Sequence, residues 1–382
     1  MAFALNLPKL SLSGQGAVEE AVDAFVQQGC KKPLIVTDKN LIAHGVLEPL
    51  FSALKLHNTD YHLFDDVTPN PTVSLVNQGL KAFRQGECDS FIAVGGGSPT
   101  DCAKAIRILE SNGGNIQDYN GIGLVQKQGA FFVAINTTAG TAAEMTSNSV
   151  ITDEEQKLKM VIVDSKQIPD IAVNDPVLML GLPANITAAT GMDALTHAVE
   201  AYVSLGSHTL TKPTALEAIR LIARWLPVAV EDGKNLEART NLADAQFLAG
   251  MAFNSAGLGM VHAMAHQPGA THDLPHGVCN AILLPIVCQF NATTVPERYR
   301  AVAEAMGGDT TNLTDAKAAE LAVNLIKKLS AQVGIPQGFT TLGVQDSDIA
   351  LWVNKAMQDV CMGGNPVEPA SDDVRNLYVQ AL

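Results

Sequence analysis

The stretch Ser90-Phe91-Ile92-Ala93-Val94-Gly95-Gly96-Gly97-Ser98-Pro99-Thr100-Asp101 decides how this chain is read. Residues 90–94 are a short apolar run of the kind a fully buried strand carries. Three glycines then make a tight turn, and Pro99 suits the first turn of a helix, where its missing N–H costs nothing. Strand, glycine turn and helix N-terminus together make an anion site. Backbone amides and the positive end of the helix dipole face the ligand, and missing Cβ atoms let a diphosphate approach. The run is not the full G-x-G-x-x-G, so the glycines alone fit a plain strand-to-helix turn equally well.

Reading outward, residues 33–37 and 131–135 are further buried-strand runs, with helical patterns at 17–29, 40–56, 72–86 and 99–111 between the runs. Such alternation predicts a parallel, doubly wound sheet. Residues 146–152 and 157–163 flank the polar turn Asp153-Glu154-Glu155-Gln156 and predict a hairpin closing this part. From about residue 185 onward β-branched runs vanish and Ala- and Leu-rich helical patterns follow one another. The expected architecture is an α/β N-terminal domain with a Rossmann-like parallel sheet, residues 1–182, followed by an all-α C-terminal domain, residues 183–382. The first, which carries the glycine turn, is expected to bind a dinucleotide.

A second strand end, Asn136-Thr137-Thr138-Ala139-Gly140-Thr141, crowds small and hydroxylated residues where open α/β sheets bind ligands. Asp38 follows the strand at 33–37, where a carboxylate accepts from ribose hydroxyls and repels a 2′-phosphate. It precedes the glycines instead of following them, and taken alone it reads as the N-cap of the helix at 40–56.

Composition sets limits on partners. The 382 residues carry 25 Lys+Arg and 39 Asp+Glu, a net charge of −14. That excess argues against nucleic acid or an anionic membrane as the main partner. Charged residues make up only 17%, against roughly 25% in ordinary soluble proteins, which points to a large interior or a subunit interface. Six cysteines without a C-x-x-C pair read as reduced thiols. With no signal-peptide pattern and no long apolar run, a cytoplasmic location is expected.

The helical half carries a constellation of histidines. Asp193 and His197 stand four apart, as do His262 and His266 on a helix read as 245–266, so each pair shares a helix face. Gln267-Pro268-Gly269 is expected to break that helix, and Asp273 to cap the next, which carries His276. Each pair alone fits an ordinary helix-surface hydrogen bond. Imidazole and carboxylate donors without thiolate suit a divalent transition metal, and the Glu that zinc peptidases carry after the first His is missing.

These residues also carry a family resemblance. The chain resembles the iron-containing (group III) alcohol dehydrogenases, nearest the bacterial enzymes for ethanol and lactaldehyde or propanediol. The likeness runs the whole length, through Val36-Thr37-Asp38-Lys39, Pro69-Asn70-Pro71-Thr72, residues 95–104, 137–144, 193–197, 262–266 and 275–277, and Gly363-Gly364-Asn365-Pro366. It implies metal ligation by Asp193, His197, His262 and His276, with Fe²⁺ as the ion and Zn²⁺ as the alternative. It also implies NAD bound by Asp38, Asn70, Gly95, Gly96, Gly97, Ser98, Asp101, Thr137, Thr138, Thr141, Asn148 and Lys159. His266 would lie beside the nicotinamide without binding the metal, and a homodimer or larger homo-oligomer is implied. Asn136, Pro268 and His272 depart from the family pattern, where Pro, Leu and an aromatic residue are usual.

The expected reaction is reversible oxidation of a small primary alcohol to its aldehyde. The alcohol oxygen binds the metal, which lowers its pKa, and hydride passes to nicotinamide C4. His266 is the leading candidate to carry the proton, and His272 the second. A zinc-dependent polyol dehydrogenase of glycerol-dehydrogenase type is the near alternative. An NAD-binding metal-dependent lyase needs a basic cluster the helical half lacks. A pure binding protein has no reason to keep a nucleotide turn and four metal ligands together.

Overall fold

The computed structural model describes residues 3–382. Contacts divide the chain into two units, one of residues 6–138 and 142–181, the other of the remaining described chain, 139–141 included.

The first unit runs β1 (Leu10–Ser13), α1 (Ala17–Gln27), β2 (Pro33–Val36), α2 (Lys39–Ala43), α3 (Glu48–Leu56), β3 (His62–Phe64), α4 (Val73–Gln85), β4 (Ser90–Gly95), α5 (Gly97–Asn112), β5 (Gly121–Ile122), β6 (Phe131–Asn136), β7 (Asn148–Asp153), β8 (Leu158–Val163) and β9 (Ile171–Asn174). Six of these strands form one sheet in the order β1-β9-β6-β4-β2-β3, every neighbouring pair parallel. Alternate residues of β2, β4 and β6 supply two cores. Leu34, Val36, Phe91, Ala93, Phe132 and Ala134 face one, whereas Ile35, Ile92, Val94, Val133 and Ile135 face the other. Both faces are covered, so these strands are continuous apolar runs. The hairpin read at 146–163 is β7 paired antiparallel with β8, with β5 added on the far side of β8.

The chain passes from β2 outward to β3 and returns to β4 on the other side of β2. The carboxyl ends of β2 and β4 therefore flank a reversal of strand order, the usual binding edge of an open α/β sheet.

The second unit contains α6 (Ala184–Val203), α7 (Thr211–Glu231), α8 (Leu236–Ala256), α9 (Met260–His272), α10 (His276–Asn291), α11 (Pro296–Ala305), α12 (Asp315–Gln332), α13 (Asp346–Gln358) and α14 (Ser371–Ala381), with no strand among the described residues. No single described helix is long and apolar enough to cross a membrane.

Several local expectations are corrected. The helix read at 40–56 is two helices, α2 and α3, separated at Gly45 (φ +70°). The helix read at 245–266 is broken between α8 and α9. Gly257 turns left-handed (φ +74°), and a Cβ on Gly364 would stand 2.0 Å from the Leu258 carbonyl, so a distant segment covers the break. Conversely, Gln267-Pro268-Gly269 does not end α9, which continues to His272 with Pro268 inside. Proline removes the N–H that would bond the carbonyl four residues back. That carbonyl, on Met264, accepts from the buried Tyr378 hydroxyl at 2.8 Å instead. Asp273 ends α9 in a left-handed conformation and does not cap α10, whose N-cap is Pro275.

Candidate metal and nucleotide sites

In the helical unit, Asp193 and His197 lie on α6, His262 near the start of α9, and His276 at the first position of α10. One ligand atom from each lies within 4.8 Å of the others. Two close glycine contacts let the helices approach. A Cβ on Gly277 would meet the Ala189 carbonyl at 2.4 Å and Asp193 Cβ at 3.3 Å. A Cβ on Gly259 would meet Glu200 Oε1 at 3.0 Å.

The side-chain amide nitrogen of Asn280 stands among these donors, 2.7 Å from Asp193 Oδ1 and 3.1 Å from Nε2 of both His262 and His276. Its two hydrogens cannot serve three acceptors. His197 Nδ1 is buried, 4.0 Å from Asp193 Oδ2, with no hydrogen-bond partner among the described residues. Burial pushes His197 down to about 3, against the opposing pull of Asp193, and holds His262 well below its usual value. The centre thus gathers a buried carboxylate with His197 and His262, whose charged forms burial disfavours, and leaves the buried His197 Nδ1 without a partner among the described residues. A divalent cation fits that donor set.

Glu200, which the sequence reading missed, supports this centre. Its Oε2 lies 2.5 Å from His262 Nδ1, and its Oε1 accepts the Val261 N–H at 2.6 Å. Burial pushes its carboxyl up to about 8, although the N–H groups of Val261, Gly259 and His262 act to lower it. A Glu one turn after His197 was the available signal, at i, i+3 on the same helix. His197 itself is stacked on Phe253, with ring centroids 4.4 Å apart.

His266 lies one turn beyond His262, with its ring nearly parallel to that of His276 at a centroid distance of 5.5 Å. His272 is placed differently. Its Nδ1 meets the Thr271 hydroxyl at 2.9 Å, its Nε2 faces Asp348 at 3.4 Å, and its ring packs edge-on against Trp352.

In the α/β unit the two turns singled out in the sequence are neighbours. Gly95 pairs with Asn136 in register, and the Thr137 N–H donates to the Gly95 carbonyl at 3.2 Å. Gly95 adopts φ +151°, and a Cβ there would meet Pro99 at 2.4 Å. Gly96 is the N-cap of α5 and approaches Thr138 Oγ1 so closely that a Cβ would stand 2.8 Å away. Gly97 and Ser98 form the first turn of α5. Asp38 stands at the end of β2 and caps α2, its Oδ1 accepting the N–H groups of Asn40 and Leu41. Thr141 falls in the other unit.

Lys159 on β8 donates to Asn70 Oδ1 at 2.8 Å, and Asn70 is itself left-handed at φ +54°. Asp101 accepts the Val150 N–H at 3.1 Å, and burial raises it to about 6 against the pull of Lys104 and Lys159. Lys104, also missed in the sequence, is fully buried on α5 and ties down the segment before β7. Its Nζ donates to the carbonyls of Thr146 and Asn148 at 2.8 Å each. A lysine inside an apolar helix face was the only sequence signal for it.

Comparison with known proteins matches two family models in succession. Residues 8–176 match the model of iron-containing alcohol dehydrogenase, and residues 187–382 that of the Fe-containing alcohol dehydrogenase family, C-terminal. The chain is 45% identical to a 1,3-propanediol dehydrogenase of Citrobacter freundii over 382 residues, covering 100% of this chain and 99% of that one. It is 42% identical to an NAD-dependent methanol dehydrogenase of Bacillus methanolicus over 376 residues, covering 98% and 99%. Among solved structures, that of a 1,3-propanediol oxidoreductase superposes with a TM-score of 0.98 at 43% identity, covering 100% of both chains.

Proposed function

We propose that this chain, which belongs to the iron-containing alcohol dehydrogenase family, interconverts short primary alcohols or diols and their aldehydes with Fe²⁺ and NAD. The observation that carries the reading is the convergence of Asp193, His197, His262 and His276, whose ligand atoms lie within 4.8 Å of one another and among which the buried His197 Nδ1 has no partner among the described residues. When bound, a divalent ion there supplies Lewis acidity toward an alcohol oxygen, and NAD supplies the hydride acceptor.

The chain's own residues do the rest. Glu200 fixes the ring of His262, and Asn280 fixes the carboxylate of Asp193. The amides after Gly95 and the start of α5 receive the diphosphate, Asp38 the adenosine ribose, and Lys159 supplies local positive charge. His266 takes the proton released from the alcohol and passes it to water. His272 is given no part in this transfer, because Thr271, Asp348 and Trp352 occupy its surroundings.

The substrate class follows the names of the relatives, which are a propanediol and a methanol dehydrogenase. Neither the zinc polyol reading nor the lyase reading gains support from the matched families. A cytoplasmic setting is consistent with six cysteines that form no disulfide. A homo-oligomer is inferred from exposed apolar side chains, with Leu205 66% and Leu210 53% exposed and Phe3, 54% exposed, stacked on His208.

The test is a panel of alcohols and aldehydes with NAD(H), run on metal-free protein and after addition of Fe²⁺ or Zn²⁺. Turnover of short primary alcohols that disappears on chelation and returns with iron is expected, with Asp193→Ala inactive at any iron concentration. Full activity in rigorously metal-free protein would overturn the reading. Light scattering reads the oligomer directly.

A further inference from the structure

Asp359 lies between α13 and the short turn Val360–Gly364, outside every motif singled out in the sequence. Its carboxylate is committed on both sides. One oxygen, Oδ1, accepts the Cys361 N–H at 2.9 Å and caps that turn, and the other, Oδ2, lies 2.8 Å from His266 Nδ1. The Cys361 thiol also hydrogen-bonds the same carboxylate. The Asp359 and His266 side chains are 7% and 5% exposed, so water does not compete for the contact. The carboxyl sits below its ordinary value although burial alone would raise it, because His266 and the Cys361 N–H favour the ionised form.

An ionised carboxylate only accepts, so a ring hydrogen of His266 sits on Nδ1, and the neutral form of the ring carries its lone pair on Nε2. We propose that Asp359 is a positioning residue for the reaction, which holds the His266 ring by Nδ1 and so makes Nε2 the nitrogen that receives the alcohol's proton. The inference rests on the reading of His266 as the proton carrier. Asp359 neither touches substrate nor takes the proton, which arrives at Nε2 and leaves from Nε2 to water.

Asp359→Asn separates this role from a structural one. The amide oxygen still accepts the Cys361 N–H and keeps the turn, leaving the NH₂ group to face His266 Nδ1. An NH₂ donor there forces the ring hydrogen onto Nε2, the wrong tautomer for accepting a proton. On the iron-loaded enzyme, Asp359→Asn is expected to lower kcat by about 100-fold, the ordinary worth of a placed acid–base group, with KM for alcohol and iron content near wild type. His266→Ala should lose a similar factor, and the double variant no more than His266→Ala alone.

Wild-type kcat in Asp359→Asn beside an impaired His266→Ala would overturn the inference and leave the His266 reading standing. Wild-type kcat in His266→Ala would overturn that reading instead. Losses that multiply in the double variant would show Asp359 acting through something other than His266. Nitrogen-15 spectra of the histidines in the wild-type, zinc-loaded protein give a check that needs no folded variant at 359. Protonated Nδ1 with bare Nε2 at His266 is expected, and the opposite tautomer would overturn the proposal.

Discussion

Glu200 and His262 are joined at 2.5 Å through Oε2 and Nδ1, while the other Glu200 oxygen receives the Val261 N–H. One carboxylate thus caps the start of α9 and fixes a ring of the four-residue centre. The Asn280 amide faces His262 Nε2 at 3.1 Å, so Nε2 carries the lone pair and Nδ1 the hydrogen.

Glu200→Gln keeps the shape and one acceptor but replaces the carboxyl oxygen that faces His262 Nδ1 with an amide group. Partners of this kind are worth about 10- to 100-fold in metal affinity. Titration of iron or zinc against a competing chelator should show a drop of that size, with the thermal midpoint little changed. Unchanged affinity would reduce Glu200 to a cap for α9.

Asp38 performs two jobs that one substitution can separate. Its Oδ1 caps α2 through Asn40 and Leu41, and its charge is assigned to discriminate against a 2′-phosphate. Asp38→Asn keeps an oxygen for the cap and loses the charge. The ratio of kcat/KM for NADP over NAD should rise roughly tenfold, which corresponds to ~1.4 kcal/mol, without loss of stability. Asp38→Ala should change the ratio similarly but also destabilise, by about 1 kcal/mol. An unchanged ratio in both would remove Asp38 from the ribose site.

What was legible in the sequence followed from local periodicity. Strands β2, β4 and β6 are buried on both faces, so they stand out as apolar runs, and the glycines after β4 mark the turn. Strands β1 and β3 went unread because they lie at the two sheet edges and are mostly not buried, and β9 because only Ile171 and Val173 mark it as a β-branched run. Asp193, His197, His262 and His276, which the structure gathers within 4.8 Å, stood out through i, i+4 spacing and family likeness. Glu200, Lys104, Asn280 and Asp359 did not, because each acts on a residue of a different element or a distant position. The break between α8 and α9 was hidden for the same reason, since Gly364, more than 100 residues away, lies over Leu258.

The same long-range logic keeps α9 continuous through Pro268, and it makes a strong test of the fold around His266. Tyr378 on α14 is 1% exposed, and its hydroxyl donates to the Met264 carbonyl that Pro268 leaves without a helix partner. Tyr378→Phe keeps the ring and removes the donor, so a buried carbonyl is left unsatisfied at a cost of about 1–3 kcal/mol. Denaturant unfolding should show that loss with an unchanged m-value. In a Pro268→Ala background, residue 268 regains an N–H able to close the helix bond to Met264. The cost of Tyr378→Phe should then shrink, giving a coupling of about 1 kcal/mol between two side chains that need not touch. Equal costs in the two backgrounds would mean that Tyr378 does not substitute for the missing helix bond.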